Sequence, residues 1–407
     1  MNIAFVGLFI NPNDSETIFQ KSISAFQTAT NTFQWNIIDG LDNNLPRDST
    51  TLFNAIPVGT FPNKYKGLFL ETKKWSHNKT SSDFEIGGLN VHFFKQLTRK
   101  ILFKKALKKW IKSNAGKKHI IAYGLYMPFI KCLKEIKTEY PDVEITFIVA
   151  DIPYSSEFLS GNSILAAIQS HRSKNILDSL GYVDSFVLLT KQMKEPLQVG
   201  KRPFVVVEGM ISNSVENDNL EISDLSEKKV ILYTGALSNQ FGISNLVEAF
   251  SDINDEGYEL WICGDGDARN TIVEASQNDK RIKYFGFLKP SEISEKRKKA
   301  TVLINPRQNI GEYTKFSFPS KTMEYIASGK PVIGYKLEGI PEEYDEHLFY
   351  VEDNSIEALR KKIVEVCSKQ PEELYSFGRE ASAWILKEKN NVKQTKKIIE
   401  MFLGEGK

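Results

Sequence analysis

At 407 residues, 41% hydrophobic and 26% charged, the chain has an ordinary globular composition of two or three domains, which excludes wholesale disorder and collagen-like structure. Its formal charge of +2 hides an asymmetry: residues 1–210 carry 26 Lys/Arg against 18 Asp/Glu, a net +8, and residues 211–407 carry 27 against 33, a net −6. Three separated cysteines without a CxxC pair argue against a zinc knuckle or dithiol redox motif, and no apolar run approaches the roughly 18 residues of a membrane-spanning helix.

The N-terminus, MNIAFVGLFI, lacks a basic region and a cleavage-like site, so it reads as a buried strand and not a signal peptide. Strands are expected at Ile3–Phe9, Phe33–Ile38, Ile120–Tyr123, Ile145–Ala150, Ser185–Leu189 and Phe204–Val207. Residues 40–90 are polar and rich in Asn, Thr and Pro, and they suit no element clearly. The acidic, aperiodic stretch Ser212–Glu227 reads as a linker. Strands then recur at Val230–Thr234, Glu259–Cys263, Lys283–Phe285, Val302–Ile304 and Pro331–Gly334, with a helix from about Ile243 and a helical tail from Pro371. Alternation of this kind predicts parallel α/β structure in two doubly wound domains, with ligand at the C-terminal strand ends. Five scattered histidines give no metal-ligand spacing, and no metal or cofactor is expected. Cytoplasmic location is the simplest expectation, with at most peripheral membrane contact.

The most informative segment holds Asn305-Pro306-Arg307 and then Pro319-Ser320-Lys321 leading through Glu324 to Gly329. Pro319 and Ser320 signal a helix start, and Gly329 suits its end. Free N–H groups and the positive dipole end make such a start a natural seat for a diphosphate. Lys321 and Arg307 would add charge-assisted bonds, and Glu324, one turn in, could reach ribose hydroxyls. A capped surface helix with solvated charges fits the same pattern. Asp151 directly follows the apolar run Ile145–Ala150 and so sits at a strand end, either facing the acceptor or capping the turn before Pro153.

The C-terminal half resembles glycosyltransferase family 4, of the GT-B fold. The resemblance rests on Tyr233-Thr234-Gly235-Ala236-Leu237 with Gly242-Ile243, on Gly264-Asp265-Gly266, on Phe285-Gly286-Phe287-Leu288, on the Pro-Ser-Lys to Gly-Lys-Pro-Val segment, and on Gly339-Ile340-Pro341-Glu342. These stretches occur in the family's order over roughly residues 229–355. The resemblance implies two Rossmann-like domains facing a cleft. Residues 1–210 would bind the acceptor, with 386–407 returning to them as a C-terminal helix, and residues 211–385 would bind a nucleotide-sugar. Position by position it makes Gly235, Gly264, Phe287, Leu288, Arg307, Ser320, Lys321 and Glu324 the donor site, with Phe287 and Leu288 at the nucleobase and Glu324 at the ribose. Asp151 and Glu324 become the catalytic candidates. It implies transfer with retention onto a glycan, lipid-linked or protein acceptor in cell-surface polysaccharide or glycoconjugate synthesis, without a metal. A sugar-nucleotide epimerase and a non-catalytic glycan-binding subunit are the competing readings. Three positions depart from the family: Phe316 stands where its first glutamate would be, and Ala236 and Phe241 where its basic pair would be. Arg307 and Lys321 could replace the missing charges.

Lys95–Lys118 holds ten basic residues and no acid. Leu102, Phe103, Ala106, Leu107 and Trp110 gather on one helical side and most lysines on the other, which predicts a basic amphipathic helix. It could meet an anionic membrane or form a solvated face on the sheet. Nucleic-acid binding lacks its usual modules.

Overall fold

The computed structural model describes residues 1–23, 28–153, 163–213 and 221–404. They form two compact units: residues 1–208 with 391–407, and residues 209–390.

Unit 1 begins with β1 (Asn2–Gly7), α1 (Ser15–Lys21), α2 (Thr28–Asn44), β2 (Thr50–Asn54), β3 (Phe69–Leu70), β4 (Lys73–Trp75), β5 (Asp83–Glu85) and β6 (Gly88–Leu89). It continues through α3 (His92–Ser113), β7 (Lys118–Tyr123), α4 (Met127–Glu139), β8 (Glu144–Val149), α5 (Ser163–Asp178), β9 (Ser185–Leu188) and β10 (Phe204–Val206). Its sheet has the order β10-β9-β8-β7-β1-β2-β5-β4, parallel except for the β4–β5 edge, and β3 and β6 form a separate antiparallel pair. Ile3 to Val6 of β1 are fully buried, as a strand covered on both faces requires.

Phe33–Ile38, expected as a strand, lies inside α2. The adjacent Ile37 and Ile38 suggest β structure, but Ile37, Ile38 and Leu41 are buried together at helical spacing. The second strand comes instead from the unassigned stretch, at Thr50–Asn54. The basic helix ends at Ser113, so Lys117 and Lys118 lie beyond it.

Unit 2 contains β11 (Lys229–Thr234), α6 (Ile243–Ser251), β12 (Tyr258–Cys263), α7 (Arg269–Asn278), β13 (Ile282–Tyr284), α8 (Pro290–Lys299) and β14 (Val302–Asn305). There follow α9 (Ser320–Ala327), β15 (Val332–Tyr335), β16 (Phe349–Val351), α10 (Ile356–Cys367) and α11 (Pro371–Glu388). The sheet is parallel throughout, in the order β13-β12-β11-β14-β15-β16. This is the Rossmann order, with its topological switch between β11 and β14. Part of the expected linker, residues 214–220, lies outside the described residues.

A last helix, α12 (Asn391–Leu403), packs on α2 within unit 1. Asn391 Nδ2 donates to Asp39 Oδ2 at 2.5 Å, Asn44 Nδ2 donates to the Val392 carbonyl at 2.8 Å, and Phe402 lies against the His119 ring.

Candidate functional site

The switch point of unit 2 is flanked by the loops that follow β11 and β14, and α9 starts at the end of the second loop. Two buried hydrogen-bond systems fix α9 there. The Tyr325 hydroxyl accepts from the Thr234 N–H and donates to the Thr234 carbonyl, each at 2.8 Å. Asn305 Nδ2 donates to Thr322 Oγ1 at 3.0 Å. Burial pushes the Tyr325 phenol up, so it stays a neutral donor. Pro319 is the N-cap and no side chain caps the first turn; the Thr322 N–H donates to the Pro319 carbonyl at 2.9 Å, which leaves those of Ser320 and Lys321 for another acceptor.

Gly235 and Gly264 form the floor beside this helix. Gly264 has φ +142, and a Cβ there would stand 1.8 Å from the Gly235 carbonyl oxygen. Gly235 has φ +157, and its missing Cβ would lie 3.8 Å from Lys321 Cε. Glycine is therefore required where the backbones meet, and Lys321 lies over the resulting gap. Lys321 Nζ is 2.7 Å from Glu324 Oε2, with both side chains about half exposed. Gly235, Gly264, Lys321 and Glu324 are thus neighbours, and Ser320 opens the same helix with an exposed side chain.

Arg307 comes from the other loop. Its Nη2 donates to Ser317 Oγ at 2.8 Å. Its guanidinium lies 5.1 Å from the Tyr313 ring centroid and 5.7 Å from that of Phe241. Its Nε is buried without a partner. Phe241, where the resemblance leads one to expect a lysine, therefore becomes one wall of an aromatic bracket around an arginine. Phe316 sits half-buried in a short 3-10 turn, Glu312–Phe316, and offers no carboxylate.

Phe287 follows Gly286, whose carbonyl accepts the Gly264 N–H at 2.8 Å. Its ring is 84% exposed, free for stacking. Leu288 instead packs against the hydrophobic core, so of the two Phe287 alone presents its side chain. A second hollow, of about 350 Å³, lies against Lys229, Thr301 and Pro331 at the opposite strand ends, where such sheets do not hold nucleotides.

In unit 1, Asp151 stands just past β8, exposed on one side and desolvated enough to raise its carboxyl above the ordinary value. The sequence reading missed a hollow of about 240 Å³ after β1, lined by Ile10, Ser15, Phe19, Asn31 and Trp35. Asn31 Oδ1 accepts the Ile10 N–H, and Trp35 Nε1 donates to the Ile10 carbonyl. Taking Phe33–Ile38 as a strand concealed it; the spacing of Asn31 and Trp35 on a helix would have revealed it.

Two doubly wound units, the second with a glycine floor and an uncapped helix start at its switch point, define the GT-B fold. Residues 228–369 match the family described as glycosyl transferases group 1, and the chain is a glycosyltransferase carrying that domain. No curated protein sequence matches the chain. Among solved structures, the chain is similar to a sucrose-phosphate synthase from Thermosynechococcus elongatus, at 13% identity and TM-score 0.68 over 100% of this chain and 99% of that one. It is also similar to the lipopolysaccharide outer core galactosyltransferase WaaB in its apo form, at 15% identity and TM-score 0.61 over 100% of both chains. A trehalose-6-phosphate synthase studied for glycosyltransfer with retention is similar at 9% identity and TM-score 0.67 over 98% of both chains.

Proposed function

We propose that the protein is a retaining glycosyltransferase that moves a sugar from a nucleotide-sugar to a glycan or lipid-linked acceptor in cell-surface glycoconjugate synthesis. The observation that carries this reading is the Gly235–Gly264 floor beneath Lys321, at the uncapped start of α9 with Glu324 one turn in. The diphosphate lies at the α9 N–H groups, with Lys321 and Arg307 offsetting its charge as the anomeric C–O bond breaks. No resident metal is needed in this scheme, since two cations and a helix dipole meet the developing charge. Glu324 takes the ribose hydroxyls and Phe287 stacks on the base. The acceptor hydroxyl attacks the anomeric carbon from the leaving-group side, and its proton passes to the departing phosphate oxygen. Retention is supported by the likeness to the trehalose-6-phosphate synthase fold. A lipid-linked acceptor would place the work at the inner membrane face. Among the described residues no helix is long and apolar enough to cross a membrane.

A thermal-shift screen of UDP-, GDP-, ADP- and CMP-sugars, followed by turnover of the stabilising donor, tests the reading. A donor at about 100 times its Kd adds about 2.7 kcal/mol of stability and stands out in the screen. A flat response to every nucleotide-sugar would remove the proposal.

A further inference from the structure

The ten basic residues of 95–118 divide into four sets. Lys95 and Arg99 are buried: Lys95 Nζ donates to the Val58 carbonyl, and Arg99 Nη2 donates to that of Ile56 at 2.6 Å. Lys100, Lys104 and Lys108 form a clamp onto α4, pairing with Glu135 and Glu139. Lys117 pairs with Glu144, and Lys118 donates to the Gly116 carbonyl. Among the described residues, only Lys105, Lys109 and Lys112 of the ten are both exposed and without an ion pair. The expected apolar side is buried at Phe103, Leu107 and Trp110 with most lysines away from it, but Lys95 and Arg99 lie inside and three further lysines are taken up by a neighbouring helix.

The three remaining lysines continue an apolar ridge. Phe93, Leu97, Ile101, Lys105, Lys109 and Lys112 follow one another at spacings of four, four, four, four and three, and all six are exposed. At about 1.5 Å per residue the ridge runs roughly 28 Å, apolar in its first half and cationic in its second. Phe94, beside Phe93, is also exposed. The β3–β6 pair adds to the apolar half: Phe69 pairs with Leu89 and is 72% exposed, and the exposed Leu68 accepts the Asn90 N–H just before α3. Among the described residues, six of thirteen exposed large apolar side chains gather here. The Lys95 bond to the loop after β2 sets the start of α3 at the C-terminal strand ends of unit 1, the edge at which an α/β sheet receives ligands.

We infer that this ridge docks unit 1 on an anionic lipid bilayer apolar end first: Phe93, Phe94, Leu97 and Ile101 enter the acyl boundary, and Lys105, Lys109 and Lys112 meet the headgroups. The inference rests on the lipid-linked-acceptor reading and adds which end enters. Three unpaired cations continuous with an apolar wedge complement an anionic interface, whereas a protein partner would have to bring matching acids to one end only. The acceptor edge of unit 1 then faces the bilayer from which a lipid-linked acceptor is drawn.

The test is co-sedimentation of the full chain with phosphatidylcholine vesicles, with and without phosphatidylglycerol, at low salt and at about 0.5 M salt. The wild type is expected to bind the anionic vesicles. Combining Phe93→Ser, Leu97→Ser and Ile101→Ser should weaken binding about a hundredfold at both salts. Combining Lys105→Gln, Lys109→Gln and Lys112→Gln should weaken it about a hundredfold at low salt and change little at high salt. Phe93→Trp should give an emission blue shift on vesicle addition beyond that of the wild type, independent of the multiple variants' folding. Absence of vesicle binding, wild-type binding by the serine variant, or a dimer that the serine variant converts to monomer would each overturn the inference. Donor-induced thermal shifts should match in all these proteins; their loss with vesicle binding intact would defeat the transferase reading and leave this one standing.

Discussion

Lys321 and Glu324 lie one helical turn apart, and their 2.7 Å ion pair joins the group assigned to diphosphate to the group assigned to ribose. Both are exposed, so the pair contributes only a few tenths of a kcal/mol and parts readily when a donor arrives. Glu324→Gln should reduce turnover about a hundredfold while leaving the affinity for inorganic diphosphate equal or a few-fold higher, because Lys321 is released. Lys321→Ala should lose both. Calorimetry with diphosphate beside turnover decides it; equal losses in the two measurements for Glu324→Gln would refute the division of labour.

Arg307 is held by rings and not by a carboxylate, so its geometry depends on Phe241 and Tyr313. Arg307→Ala should raise the donor Kd about tenfold, and Phe241→Leu about threefold. Arg307→Lys should rescue little, since an ammonium neither stacks flat nor keeps the Ser317 bond. If Phe241→Leu binds donor as the wild type does, the bracket has no positioning role.

Gly264→Ala should be among the most damaging single-methyl changes in unit 2. The new Cβ would meet the Gly235 carbonyl in a backbone conformation that side chains avoid. A cost of about 3 kcal/mol or more is expected, with loss of donor response. Differential scanning calorimetry would show it, and an unchanged melting temperature would contradict the packing described.

His77 provides a pH signature in unit 1. Its imidazole is buried between Asp83, at 2.7 Å, and Asp42, at 3.0 Å. Burial opposes the charge, but bonds to both carboxylates outweigh it and raise the pKa to about 9. Because the folded value exceeds the unfolded one, the stabilisation is complete below about pH 6.5 and is lost as pH rises through about 9. Unit 1 should therefore lose about 3 kcal/mol across that window. In His77→Gln the melting temperature should be lower at pH 6 and its decline over this range flatter; a slope unchanged by the substitution would rule the pair out as its source.

Much of unit 2 is legible in the sequence because its strands are short apolar runs divided by glycines. Val230–Thr234 and Glu259–Cys263 match β11 and β12 to within a residue, and Pro319-Ser320 opens α9. Unit 1 is less legible. Thr50–Asn54 alternates too briefly to stand out among polar neighbours, and Ile37-Ile38 imitates a strand inside a helix. Side-chain partnerships are the least legible. Lys95 and Lys105 look alike in a basic run, yet one satisfies buried carbonyls and the other faces solvent. Nothing local in the sequence announces that Phe241 and Tyr313 bracket Arg307, because that contact joins loops from two strands.

The placement of α12 on α2 bears on how the protein is made. Unit 2 is contiguous, from residue 209 to 390, and can close while synthesis continues. Unit 1 starts the chain but requires Asn391–Leu403 to cover α2, so the first domain translated is the last to be completed. Until then the α2 surface against Thr395 and the His119 ring against Phe402 stand open on the nascent chain, and a ribosome that stops short of residue 391 releases a finished unit 2 attached to an unfinished unit 1.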